Sequence, residues 1–387
     1  MIQRIWGDME FGWSQEQTKF RAEVRAFINA TLPPEWWTKV PGEEPYSEIT
    51  LGFCKQLGAK GWLMPHWPVE YGGAGDASPW RYAILNEELW SHGEPRGSQY
   101  MNTNYIGPAI ISYGTDDQKR RFLPSITAGE ALWCQGFSER TAGSDLAALK
   151  TSAIRDGDDY VINGEKIWTS YAKGAHHCFL LARTDPATTG SEGISIFLVP
   201  TSSPGFTIVP VNGILDIHVT HVMTFENVRV SAKNRLGGEN EGWSIIREAL
   251  ADERIGSPRH VRAAVLLDEI IERARNEGKL SQAALREAAH ARAACRAAKI
   301  FAYKVRHTRA LTGDAGPGAY IAKCITVTAE RAVAEVAANV AGPNGLISGS
   351  LADGEFRTAL VAGLGGGSYE VQLNLIARLW LKLPKAA

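Results

Sequence analysis

Residues 133–185, WCQGFSERTAGSDLAALKTSAIRDGDDYVINGEKIWTSYAKGAHHCFLLARTD, mark where the periodicity of the chain changes. Before them apolar residues recur at helical spacing. Within them, short β-branched and aromatic runs alternate with Gly, Ser and Asp turns, the pattern of strands. The Asn163-Gly164 pair reads as a hairpin turn. FSERTAGSD is a hydroxyl-rich turn whose backbone N–H groups, Ser138 and Ser144 suit the acceptor edge of a flat polar heterocycle or a phosphate. The same letters also describe a plain surface turn. KIWTS offers the broad face of Trp168 beside two hydroxyls, Thr169 and Ser170; a core tryptophan with two solvated hydroxyls would look alike.

Working outward, strand-like runs continue through GISIFLVP, FTIVPV and VMTFENVRV. We therefore expect an antiparallel, barrel-like β-domain over residues 129–238. Residues 1–128 read as a helical domain. SQEQTKFRAEVRAFINATL begins with a serine cap, spaces Phe20, Val24 and Phe27 along one face, and stops before Pro33-Pro34. Residues 239–387 return to long helices with alanine-rich faces, the mark of close packing in a four-helix bundle. The fold class is α+β, mostly α, in the order helices, sheet, helices.

With 387 residues and a formal net charge of −1, the chain has length for two or three domains and no bias toward nucleic acid or anionic membranes. No apolar run is long enough for a membrane span, and the first residues carry no apolar leader with a cleavage site, so a cytoplasmic protein is expected. The five cysteines are dispersed and form no CxxC pair, which argues for reduced, buried thiols. His176-His177 and His218/His221 cluster without further ligands at metal spacing, and read as packing residues.

GLGGGSYEVQ, residues 363–372, superficially matches a dinucleotide loop. That reading needs a preceding strand, a βαβ unit and a later acidic residue. EFRTALVA before it reads as helix, and no second strand follows.

Taken together, four stretches resemble the acyl-CoA dehydrogenase family: GWLMPHWPVEYGGAG, GTDDQKRRFLPSITAGEALWCQGFSE, the KIWTS segment and FENVRVSAKNRLGGENEGW. The resemblance covers nearly the whole chain. It implies FAD as cofactor, an acyl-CoA thioester as substrate, an electron-transfer flavoprotein as acceptor, and a homotetramer or a heterotetramer with a paralogous subunit. By position in the motif, Gln135, Phe137, Ser138 and Gly143 match the loop that hydrogen-bonds the isoalloxazine, and Ser144 a serine near the FAD and CoA ends of the site. Trp168 matches the aromatic against the flavin, with Thr169 beside it and Ser170 as the hydroxyl near N5. Gly342 and Gly345 of AGPNGL match a turn approaching the FAD pyrophosphate of a neighbouring subunit.

Three departures matter. The family's usual base lies just before the last helix; aligning Glu370, Val371 and Gln372 puts Gly366 there. Glycine cannot take a proton, although its N–H can bind a thioester oxygen. Isovaleryl-CoA dehydrogenase instead carries its base in a Glu-Arg pair on the helix that opens the bundle. Glu253 and Arg254 match that pair, making Glu253 the candidate base; Glu-Arg neighbours are also common on helix surfaces. Second, the family's Arg-x-x-Phe-Gly segment is absent after the first bundle helix. Third, Pro258 should interrupt that helix. The break and the vacated volume at residues 365–367 imply a bulky or branched acyl group. A catalytically silent subunit supporting an active paralogue is the alternative.

Overall fold

The computed structural model describes residues 12–34, 36, 44–76, 78–215, 219–256, 258–313 and 315–384, and the side chains of these except 44–46 and 251–256. Helix α1 (Gln15–Thr31) starts where Ser14 and Gln17 form a reciprocal capping box, and it buries Phe20, Val24 and Ile28. Helix α2 is Glu44–Ala59 and α3 Pro79–Ser91, the latter capped by Ser78 with Pro79 in its first turn. A third helical stretch follows as α4 (Gln99–Met101), a π-helical turn (Asn102–Ile106) and α5 (Gly107–Tyr113). Thr115 and Gln118 box the start of α6 (Asp116–Thr127). Gln118 Nε2 then reaches past the helix to donate to the Lys233 and Arg235 carbonyls, both at 2.8 Å, tying α6 to the exit of the sheet.

Eight strands form one sheet among the described residues: β1 (Trp133–Gly136), β2 (Ser152–Asp156), β3 (Asp159–Ser170), β4 (His177–Arg183), β5 (Ile194–Pro200), β6 (Phe206–Val211), β7 (Thr220–Ser231) and β8 (Arg235–Leu236). The order is β6-β7-β3-β2-β4-β5-β8, with β1 pairing β4. The pairing is antiparallel except around β4, which runs parallel to β1 and meets β2 through one parallel bridge. The Asn-Gly expectation is corrected here. The hairpin turns at Asp156–Asp159, and Asn163-Gly164 sits inside β3, where the register against β7 slips. Gly164 has φ 147°, and a Cβ there would lie 2.7 Å from Thr151 Cα. The glycine serves close strand approach and a bulge instead of a turn.

Both sheet faces are covered, so β4 is apolar on both sides. Phe179 and Leu181 join the core shared with the N-terminal helices, while Cys178, Leu180 and Ala182 join the core on the opposite face. The first of these cores also takes Ile245, Ile246 and Ala249 from α7 (Gly242–Gly256). One apolar nucleus thus fixes three elements around β1: the N-terminal helices, the sheet and α7.

At Pro258 the backbone leaves helical geometry with ψ 56°, and α8 (Arg259–Asn276) begins immediately after it, so the expected break is present. Helices α9 (Gln282–Thr312), α10 (Gly318–Ala341) and α11 (Leu351–Ala362) complete an alanine-rich core with α8. Ser368 caps the last helix, α12 (Tyr369–Leu375), which runs into a π turn at Ile376–Trp380. All five cysteines are buried and free. Among the described residues no helix is long and apolar enough to cross a membrane.

Candidate active site

The site grows from β1 and the bulged end of β3. Between Lys166 and Thr169 the β3–β7 ladder loses register, and Trp168 takes φ 63°. A left-handed backbone costs a bulky residue on the order of 1–2 kcal/mol, so neighbouring bonds must hold it. Ile167 N donates to the Ser138 carbonyl at 2.9 Å, and Thr169 Oγ1 donates to the Gln135 carbonyl at 3.1 Å. The bulge leaves Trp168 55% exposed while Thr169 is buried. It presents a flat apolar face beside the 137–144 loop, with the half-buried Ser170 next to it.

The 137–151 loop hangs on a buried ion pair that the sequence reading missed. Lys166, with 0% of its side chain exposed, sends Nζ to the Phe137 carbonyl at 3.0 Å and to Glu139 Oε1 at 2.9 Å. Glu139 in turn accepts the Lys150 and Thr151 N–H groups at 2.7 and 2.8 Å. Burial would raise the Glu139 carboxyl, but Lys166 and the two backbone donors outweigh it and hold it below its ordinary range. Burial pushes the Lys166 ammonium down to about 8 against the attraction of Glu139. Arg183 secures the far end of the loop, donating to the Ala147 carbonyl at 2.9 Å and to that of Leu149 at 3.3 Å. The available signal was a lysine and an arginine in otherwise apolar strands: a charge in a two-sided buried strand needs an internal partner.

The other wall is the π turn. Gln99 Nε2 and Asn102 Nδ2 donate to the Ala131 carbonyl at 3.0 and 2.9 Å, and the Tyr105 hydroxyl bonds Gln135 Oε1. The extra residue per turn directs Asn102 and Tyr105 toward β1, alongside Gln99 from α4. Helix α7 packs against this turn, against α10 and against β5.

Gly143 and Ser144 lie exposed on the same loop. Gly366 and Gly367 have φ 69° and 88°, a conformation that glycine supplies at little cost. The Gly366 carbonyl accepts Gln372 Nε2 at 3.4 Å. Gly342 ends α10 with φ 56°, and Gly345 sits in the exposed 3₁₀ turn that follows. The Thr169 hydroxyl donates to the Gln135 carbonyl. The Glu253 and Arg254 side chains lie outside the described residues, as does His218. His177 stacks on Trp133 at 4.6 Å, and His176 Nδ1 accepts the Leu132 N–H at 3.0 Å, both packing roles.

Sequence profiles for the three domains of one family cover this arrangement: acyl-CoA dehydrogenase N-terminal domain at residues 14–130, middle domain at 134–228 and C-terminal domain at 240–381. The chain belongs to the acyl-CoA dehydrogenase family. It is an oxidoreductase of that family, with the family's helix, sheet, helix architecture. It is 33% identical to acyl-CoA dehydrogenase FadE26 of Mycobacterium tuberculosis, over 98% of this chain and 100% of the relative. It is also similar to the solved structure of the Tcur3481-Tcur3483 steroid ACAD (TM-score 0.88, 32% identity, 98% and 100% covered). The ChsE4-ChsE5 complex from Mycobacterium tuberculosis gives a TM-score of 0.84 at 32% identity, with the same coverage.

Proposed function

We propose that the chain catalyses FAD-dependent α,β-dehydrogenation of an acyl-CoA thioester with a bulky or branched acyl group. The observation that carries the reading is the bulge in β3. It sets an exposed indole next to a loop of N–H and hydroxyl donors; Glu253 lies on α7, which packs on the neighbouring π turn and β5. The donor set fits a flavin. Trp168 offers a flat face, Ser170 a hydroxyl, and among the described residues no acceptor receives the Ser138 N–H, leaving it for the ring's acceptor edge. The exposed turn at Gly342 and Gly345 is open to the pyrophosphate of a neighbouring subunit's FAD.

When bound, FAD supplies the acceptor for the hydride that leaves the β carbon. Glu253 takes the α proton as general base, and Arg254 completes the Glu-Arg pair of the motif. The Gly366 N–H donates to the thioester carbonyl oxygen, which stabilises charge developing there as the α proton leaves. Trp168 and the 137–144 loop hold the reacting face and exclude water from it. The missing side chain at Gly366 and the helix break at Pro258 leave room for a bulky acyl group.

A second reading is supported by the same glycine. A subunit lacking the usual base, related to proteins solved as two-component assemblies, fits a catalytically silent partner of an active paralogue. Apolar side chains stand on the C-terminal surface, with Leu346 90% exposed and Ile347, Phe356, Trp380 and Leu381 also in solvent, which favours an oligomer in either case. The visible spectrum of the purified chain separates the two. Yellow protein bleached anaerobically by an acyl-CoA supports the dehydrogenase, and recovery of the yellow colour on adding an electron-transfer flavoprotein supports that protein as its acceptor. Colourless protein that gains flavin only with a paralogue supports the silent subunit.

A further inference from the structure

We infer that buried Lys166 acts through the Phe137–Ser138 peptide to strengthen the Ser138 N–H as a donor to bound flavin, thereby favouring the reduced cofactor. The inference rests on the proposed flavin site and concerns a residue outside the predicted donor set.

The geometry is that of a relay. The Phe137 carbonyl points into the protein, where Lys166 Nζ donates to it at 3.0 Å. In a trans peptide the C=O and the following N–H point in opposite directions, so the Ser138 N–H is directed away from Lys166. The Ser138 carbonyl is separately held by Ile167 N at 2.9 Å, which fixes the orientation of the residue between the two peptides. A cationic donor on the carbonyl end polarises the peptide and makes its N–H more positive, and this effect is strong where water is excluded. Lys166 is fully buried, and its carboxylate partner Glu139 is partly neutralised by the Lys150 and Thr151 N–H groups. A two-electron-reduced flavin carries more negative charge on its acceptor edge than the oxidised ring, so a stronger donor there binds the reduced form preferentially. Lys166 is therefore a positioning residue with an electrostatic role.

The test uses FAD-loaded protein, with its paralogue present if one is needed for loading. In Lys166→Met/Glu139→Gln the pair is replaced by uncharged side chains of similar length, which strands no charge, and the FAD-affinity readout accounts for any shift of the loop where glutamine loses one of the two backbone N–H bonds. Equilibration against a reference dye should show the reduced-to-oxidised ratio of bound flavin falling about tenfold, equivalent to about 30 mV for a two-electron couple. Affinity for oxidised FAD, read by fluorescence quenching, should change much less. Loss of loop positioning alone would weaken both redox forms equally and leave the midpoint within twofold, a result that overturns the inference.

A second measurement needs no substitution. The groups facing Lys166 are Glu139, Cys178 and Arg183. As wild-type Lys166 loses its proton near about 8, the midpoint should fall more steeply with pH than it does below pH 7. A slope unchanged between pH 6 and 9 counts against the role. A wild-type protein that binds no FAD, alone or with a paralogue, removes the functional reading as well. FAD bound with an unaltered midpoint removes the relay alone.

Discussion

Replacing Glu139 with glutamine should destabilise the protein by about 3 kcal/mol at neutral pH, because it leaves the ammonium of Lys166 buried without its counter-charge. The site magnifies the change. Lys166 has no exposed surface, and its Nζ keeps only the neutral Phe137 carbonyl at 3.0 Å as a full acceptor once the 2.9 Å contact to Glu139 loses its charge. Glutamine also turns one oxygen into an NH₂ group, setting donor against donor at either the Lys150 or the Thr151 N–H. The penalty has a pH signature. In the wild type Lys166 holds its proton up to about 8, so folded and unfolded chains bind equally many protons there below that pH. Without Glu139 its folded-state value falls further, and between that value and 8 the unfolded chain binds one proton more. The variant's stability then rises with pH while the wild type's stays flat. The deficit should shrink by about 1.4 kcal/mol from pH 7 to pH 8. Chemical unfolding followed by circular dichroism at both pH values, with FAD in equal excess, measures this. Glu139→Gln/Lys166→Met should recover most of the loss. A single-variant deficit under about 1 kcal/mol without pH dependence, or a double variant equal to the sum of the singles, would refute the reasoning.

Other regions give further expectations. His260 is 3% exposed on α8, and burial, with Lys299 and Arg306 against Glu87 and Glu330, lowers it from its ordinary 6.5 to about 4. Its neutral form is the one that folds, so stability is lost as pH falls from 6.5 toward 4, by up to about 3 kcal/mol; His260→Gln should flatten that part of the acid-unfolding curve. Gly107→Ala puts a Cβ within 1.8 Å of Trp67 Cη2 in a packed core and should cost about 3 kcal/mol, with Trp67→Phe in the same chain recovering part of it by thermal unfolding. Trp168→Ala removes a half-exposed ring at a strained position. It should leave unfolding within about 1 kcal/mol of wild type while weakening FAD binding at least tenfold in a fluorescence titration.

Much of this fold was legible because its signals are local. Ser14 caps α1 ahead of its apolar periodicity as the sequence leads one to expect, and the helical path breaks at Pro258, which lacks an N–H. Asn163-Gly164 misled because local turn propensity competes with long-range pairing. Gly164 is needed inside β3, where Thr151 of another segment leaves no room for a Cβ. The bulge at Trp168 shifts which side chains of β3 face outward, so simple alternation could not show that the Thr169 hydroxyl is the one bonded to the Gln135 carbonyl. The Lys166–Glu139 pair, 27 residues apart, needed three-dimensional proximity to become visible.

The central claim is that a family member without a carboxylate at residue 366 performs its chemistry through Glu253. Anaerobic mixing of flavin-loaded wild type and Glu253→Gln with a panel of straight-chain, branched and ring-bearing acyl-CoAs tests it most directly. The account predicts rapid bleaching of the wild-type flavin, greatest with bulky acyl groups, and bound but unbleached flavin in Glu253→Gln. Bleaching at wild-type rate in that variant would contradict it.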